Sequence, residues 1–338
     1  SNFLDVEFAI SKDLAIYILQ VRAITTQPNW NRSIANNVNL ALNGIQALIN
    51  RKFQPIHGIY GDTTVFGQMP DWNPAEMIGR APHALAYSLY EKLITDHAWR
   101  MARKTMNYAV PEGQPLMVSL AGQPFIDTRL SFHSYLPEDL DPNISNKLVN
   151  VWVQKLKDSP ELHDKIEFDI AITTYSFDID NKIKNLVGDA ISEPEKRILK
   201  KTFLDQTTAL LSDQHQGSIS KAILKINLLA EKQQIQKNAE NSLDINQLFL
   251  LIDECIHLGT IPFSILARHG FIAKTLLLSL VQCGILSMDE VSQILASIRT
   301  VASDLVDDMD RLQTNEISRN EFMAQYGHLR PGSYDIMS

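Results

Sequence analysis

Phe3-Leu4-Asp5-Val6-Glu7-Phe8-Ala9-Ile10, followed by Ile16-Tyr17-Ile18-Leu19-Gln20-Val21-Arg22-Ala23-Ile24-Thr25, reads as two strands joined by a polar turn through Ser11, Lys12 and Asp13. Side chains alternate faces along a strand, so Asp5 and Glu7 share one face of the first segment and Gln20 and Arg22 share one face of the second. A turn centred between Asp13 and Leu14 sets Glu7 opposite Gln20 and Asp5 opposite Arg22. Four polar groups then gather on one face, while Leu4, Val6, Phe8, Leu19 and Val21 cover the other. A carboxylate beside an amide oxygen is a hard-oxygen seat for Mg²⁺, and an adjacent arginine clamps a terminal phosphate. Periodicity alone is equally consistent with a solvated face carrying an ordinary cross-strand ion pair.

The residues on that face carry a resemblance. Asp5-Val6-Glu7-Phe8-Ala9 and then Leu19-Gln20-Val21-Arg22-Ala23-Ile24-Thr25 resemble the closing segment of the ATP-grasp nucleotide-binding domain of the phosphoenolpyruvate synthase and pyruvate phosphate dikinase family. There the segment runs D-[IV]-E-[WF]-A and then L-Q-x-R-P-[IE]-T. Ala23 stands in place of the usual proline, which loosens the turn and leaves the polar face untouched. The resemblance implies ATP and Mg²⁺ as cofactors, Glu7 and Gln20 as metal-phosphate ligands, Arg22 as the catalytic phosphate clamp and Asp5 as a supporting acid. A second segment, Gln325-Tyr326-Gly327-His328-Leu329-Arg330-Pro331-Gly332, resembles a Y-G-H-x-x-P-G stretch in the linking region of the same family and its antibiotic-phosphorylating relatives.

The family also uses an upstream ATP-grasp lobe, a swivelling domain with its histidine in a G-G-x-x-[ST]-H setting, and a pyruvate-binding barrel. None of the nine histidines lies in that setting, and no run of eight strand-helix units is readable. Ser1-Asn2, all that precedes Phe3, reads as a cloning remnant. The expectation is therefore an internal fragment of a kinase-like phosphotransferase, inactive alone. Its partners are a nucleotide, a small-molecule acceptor, and the missing lobe and phosphohistidine domain of the same parent chain.

Composition narrows the alternatives. The 338 residues are 45% apolar, an ordinary globular content, and 31 basic against 39 acidic residues leave a net charge of −8. That balance argues against nucleic acid, whose phosphates demand a basic surface. The longest apolar region, 263–286, is interrupted by Arg268, His269 and Lys274, which argues against a membrane span. Cys255 and Cys283 lie in apolar helical patterns without C-x-x-C spacing and read as small core residues. With no signal peptide or disulfide framework visible, a cytoplasmic location is expected.

The expected class is α+β: the N-terminal β-hairpin of an ATP-grasp lobe, a small mixed β piece, then a mostly helical domain. Segments 1–27, 28–110, 111–178 and 179–338 are read respectively as the ATP-grasp edge, a helical or irregular connection, a small α+β piece and the helical domain. Apolar spacing predicts helices over 32–51, 84–104 and 143–157, and Asn73-Pro74 marks a helix start. Strands are expected at 116–120, 125–132 and 165–177. Further helices are predicted over 193–213, 217–240, 244–257, 263–283, 287–313 and 318–326, with Gly327 as a left-handed cap.

Several charged groups invite a site. Asp304, Asp307 and Asp308 share a helical face, but in a D-D-x-D rather than a D-D-x-x-D pattern, so a solvated acidic face is expected. Arg268 and His269 interrupt an apolar helix pair, where a buried charge needs a carboxylate or a cavity. Asp127 and Arg129 are expected on one strand face as an ion pair, with His133 just beyond. Convergence of Arg129, Arg268, His328 and Arg330 would make an anion pocket for the acceptor. The alternative, a non-catalytic helical docking module, predicts an exposed apolar patch and no convergent cations. Nucleophile elbows, Rossmann glycines and P-loops are absent from the sequence.

Overall fold

The computed structural model describes residues 4–11, 15–23, 35–212, 217–237 and 245–327. The fold is α+β: a two-stranded hairpin, a small three-stranded sheet and a mostly helical remainder. Backbone contacts divide the chain into two units, Ser1–Gln46 and Ala47–Ser338.

In the first unit β1 (Leu4–Ile10) pairs antiparallel with β2 (Ile16–Ala23) in the expected register, Asp5 opposite Arg22 and Glu7 opposite Gln20. A bulge follows, because Phe8 pairs with Ile18 and Leu19 is left without an opposite residue. The apolar side chains Leu4, Val6, Phe8, Leu19 and Val21 are all exposed. α1 (Ala35–Lys52) crosses the boundary between the units.

In the second unit β3 (Phe66–Gly67), β4 (Met117–Leu120) and β5 (Gln123–Asp127) form an antiparallel sheet in the order β3-β5-β4. Ala121 and Gly122, both at positive φ, make the β4–β5 turn, where the mirror-image geometry matches strand twist. The strand expected over 125–132 ends at Asp127 and gives way to α5 (Thr128–His133). Leu130 and Phe132 mimic a strand's alternation, yet every residue of α5 is buried, so both faces of a short helix accept them. The strand expected over 165–177 is likewise corrected. Ile166–Ile170 forms a π-helical turn whose end residues, Ile166 and Ile170, both enter the core.

Three apolar clusters hold this unit. The largest surrounds Trp152, Phe132 and Phe203 and is built on α6 (Pro142–Asp158), α7 (Ile179–Leu186) and α8 (Glu193–Leu211). A second, around Trp99 and Leu130, joins the sheet to α2 (Pro74–Ile78), α3 (Ala84–Tyr90) and α4 (Ala98–Thr105). The third packs α4 against α9 (Ser218–Lys237) and α11 (Ile261–Gln282). The Asn73 carboxamide caps α2 as expected, its Oδ1 accepting from the Glu76 N–H at 3.1 Å. A π-helical turn over Glu91–Thr95 separates α3 from the rest of the helix expected over 84–104.

α10 (Ile245–Glu254) continues through a π-helical turn at Cys255–Thr260 into α11. The stretch Gln247–Gln282 is apolar and long enough, by length and composition, to cross a membrane. Arg268 and His269 within it are nevertheless buried against protein. Of the two cysteines expected in the core, Cys255 is half-buried and Cys283 is exposed. The helix expected over 287–313 is two, α12 (Met288–Ala296) and α13 (Val301–Gln313), because Thr300 takes an extended conformation and caps α13. After α14 (Arg319–Tyr326), Gly327 has a φ of −63°, a right-handed value where a left-handed one was expected.

Candidate functional site

The first candidate is the polar face of the hairpin. Arg22 Nη2 donates to Glu7 Oε1 at 2.8 Å and to Gln20 Oε1 at 2.7 Å. Register puts these groups together: Arg22 and Gln20 are two apart on β2, and Glu7 lies across from Gln20. Asp5 lies opposite Arg22. In kind, the Glu7 carboxylate and Gln20 amide oxygens suit Mg²⁺, which prefers oxygen and keeps most of its shell for water and phosphate. Here they are turned to the guanidinium instead. Among the described residues no group of three or more histidine, cysteine or acidic side chains is placed to hold a metal.

The second candidate lies wholly inside the second unit, a cavity of about 480 Å³. Four segments build it, with Arg103 coming from α4. Asp71, Trp72 and Asn73 come from the turn before α2, Glu167 and Phe168 from the π-helical turn at 166–170, and Phe263, Arg268 and Phe271 from α11. Trp72 and Asn73 sit at φ of 69° and 31°, left-handed conformations that are costly for a large side chain. This strained turn presents Asp71 and Trp72 side by side. Trp72 faces Phe263 at 6.3 Å, and Phe168 meets Phe271 edge-on at 5.4 Å, so the walls are aromatic.

Beneath the cavity two guanidiniums are threaded among carboxylates and phenols. Arg268 Nη1 donates to Glu167 Oε2 at 3.2 Å, Nε to the Tyr108 hydroxyl at 3.2 Å, and Nη2 to the Thr173 carbonyl at 2.7 Å. Tyr135 donates to Glu167 Oε1 at 3.1 Å. Both Arg103 and Arg268 lie over the rings of Tyr108 and Tyr135, at 5.2 to 5.8 Å. Arg103 is held less firmly, 3.4 Å from Asp71 Oδ1 and 3.8 Å from Glu167 Oε1. These distances are long for charge-assisted contacts. Arg103 Nε has no hydrogen-bond partner, and the buried Ser131 hydroxyl is the other polar neighbour of Asp71.

Burial, opposed by Arg103 and reinforced by Glu167, pushes the Asp71 carboxyl up to about 6. Burial likewise raises the Tyr135 phenol well above its ordinary range. Asp71 is thus the floor group whose charge is least settled near neutral pH.

The residues expected to form an anion pocket do not all meet. Arg268 lines the cavity. Arg129 is elsewhere, its guanidinium donating to the carbonyls of Lys52 at 3.0 Å and Gln54 at 2.9 Å, so that it closes the C-terminal end of α1. Nor do Asp127 and Arg129 share a strand face, since Asp127 ends β5 and Arg129 is the second residue of α5. Asp127 accepts instead from Thr64 at 2.6 Å, with Lys52 at 3.7 Å. His133 accepts the Tyr60 N–H at Nδ1, 3.0 Å away. His328 and Arg330 lie outside the described residues. On α13, Asp304 and Asp307 engage Arg299, and Asp308 accepts from the Tyr326 hydroxyl at 2.8 Å, an internally paired acidic face.

Sequence reasoning missed Asp71, Arg103 and Glu167. Asp71 sits in a Pro- and Asn-rich turn that reads as a helix start, and Arg103 reads as the basic end of a helix. The clue was Arg268 alone, a cation inside the apolar run of α11 that burial obliges to find a carboxylate; Arg103, among Arg100 and Lys104 on a polar helix, gave none.

No family model, curated protein or solved structure matches this chain. The likeness to the phosphoenolpyruvate synthase family therefore rests on the quoted residues alone.

Proposed function

We propose that this chain carries the closing edge of the nucleotide site of an ATP-dependent phosphotransferase resembling phosphoenolpyruvate synthase, with the helical unit binding the acceptor. The observation that carries the reading is the hairpin register, which brings Glu7, Gln20 and Arg22 into hydrogen-bond contact on one face. In that role Arg22 would meet the terminal phosphate, and Glu7 and Gln20 would hold Mg²⁺ through their oxygens. When bound, the metal would supply charge neutralisation for the phosphates. Asp5, opposite Arg22, helps hold the guanidinium in place. The rest of the machinery, a further nucleotide lobe and a phosphohistidine carrier, belongs to the parent chain in this proposal.

The test uses the intact phosphotransferase. Arg22→Ala lowers ATP-dependent phosphoryl transfer by about 10²- to 10³-fold, the usual loss for a group that meets charge developing in the transition state. Glu7→Gln raises the Mg²⁺ concentration needed for half-maximal rate. Rates and Mg²⁺ dependence within about two-fold of wild type for both variants would exclude the proposal, since 0.4 kcal/mol is below any clamp's contribution. The 338-residue chain alone turns over no ATP.

A docking-module reading is favoured by a separate observation, the exposure of Ile245, Leu248, Phe249 and Leu250 on α10. The convergence of Arg103 and Arg268 beneath a cavity is what that reading does not account for.

A further inference from the structure

The cavity of the helical unit has a charge balance that narrows its ligand. Asp71, Glu76, Asp164 and Glu167 line it, against Arg103 and Arg268. Four carboxylates thus face two guanidiniums. Arg268 is consumed by its own neighbours, since each of its three nitrogens already donates to Glu167, Tyr108 or Thr173. An incoming anion therefore finds the Arg268 fork taken, and around the loosely held Arg103 it meets four carboxylates, a balance that favours a cation over an anion. The side chain of Asp71 is 5% exposed, its contact with Arg103 is a loose 3.4 Å, and its further neighbour is the buried Ser131 hydroxyl. A donor entering from the cavity can join Arg103 at the same carboxylate without displacing it.

The walls point the same way. Trp72, Phe168, Phe263 and Phe271 offer aromatic faces, and Lys274 already places its ammonium 4.9 Å from the centre of the Phe168 ring. Aromatic faces with nearby carboxylates attract a desolvated cation. We infer that this cavity binds a small organic cation, an amine or ammonium group on an apolar body, with the charged end at Asp71 and the body against Trp72 and Phe263. A volume near 480 Å³ holds a molecule of that size. That this cation is also the phosphoryl acceptor rests on the proposed function; its binding does not.

Three probes with one apolar body test the inference by calorimetry on the full chain, without nucleotide: 2-phenylethylamine, 2-phenylethanol and 3-phenylpropanoate. The amine binds at least about ten-fold more tightly than the alcohol, a difference of about 1.4 kcal/mol, and the propanoate binds weakest. Asp71→Asn brings the amine to the alcohol's affinity and leaves the alcohol unchanged, whereas Phe263→Ala weakens both. Should Asp71→Asn fail to fold, Glu76→Gln and Asp164→Asn each reduce the preference for the amine. Equal affinities, tightest binding by the propanoate, no binding by the amine, or a preference that survives loss of the carboxylates would each overturn it. Because ATP is absent, failure here is separable from failure of the Arg22 and Glu7 experiments.

Discussion

Replacing Arg268 with methionine keeps much of the side chain's volume and removes its charge, which isolates what the guanidinium does beneath the cavity. Arg268 is 2% exposed and makes three hydrogen bonds, to Glu167, Tyr108 and the Thr173 carbonyl, while lying over two tyrosine rings. Its loss leaves the largely buried Glu167 with only Tyr135 and the distant Arg103. Removing one partner of a buried pair in this way costs about 3–5 kcal/mol. Arg268→Met is thus expected to unfold about 3–5 kcal/mol more readily in urea at pH 7.5, and adding Glu167→Gln restores a coupling of at least about 1 kcal/mol, because no orphaned charge remains. A loss below about 1 kcal/mol, within the range of an exposed pair, would refute the claim that the two charges depend on each other. So would a double variant whose loss is the plain sum of the two single losses.

Other consequences are more local. Burial pushes the His133 imidazole down to about 4, so it folds neutral while the unfolded chain binds a proton below about 6.5. Stability is therefore complete above that pH and falls as pH drops toward 4, by up to about 3 kcal/mol at 1.36 kcal/mol per unit; a flat comparison between wild type and His133→Gln over this range, or an NMR titration of the ring near 6.5, contradicts it. Gly61 has a φ of 93°, and a Cβ there would sit 2.5 Å from Val149 Cγ1. Gly61→Ala is expected to lower stability by about 3 kcal/mol in denaturant melts, combining backbone strain with a clash in a packed core. Cys283 is exposed and Cys255 half-buried, so a thiol reagent labels Cys283 first under native conditions, and mass mapping that finds Cys255 first excludes this placement.

The hairpin and the buried segments differ in how local their causes are. The shared face of Glu7, Gln20 and Arg22 was legible because alternation has period two. Their opposition also needed the bulge at Leu19, since the pairs from Phe8–Ile18 to Ile10–Ile16 are one residue out of the register expected from the turn. The Asn73-Pro74 cap was legible too, being a matter of adjacent residues. Segments buried on all sides were not. Leu130 and Phe132 enter different cores from one short helix, and the turn at 166–170 carries Ile166 and Ile170 inward with π-helical spacing. Neither arrangement leaves a periodic solvent face for the sequence to record.

What the amino-acid sequence determined by itself was therefore the α+β class, most of the helices and the polar face of the hairpin, since these depend on neighbours a few residues apart. Only the tertiary structure decided the cavity. Asp71, Arg103, Glu167 and Arg268 belong to four segments far apart along the chain, and the need of buried charges for partners says that each must find one without saying which. Packing of α11 against α4 chose the partners, and in doing so left a cavity with aromatic walls and more carboxylates than guanidiniums.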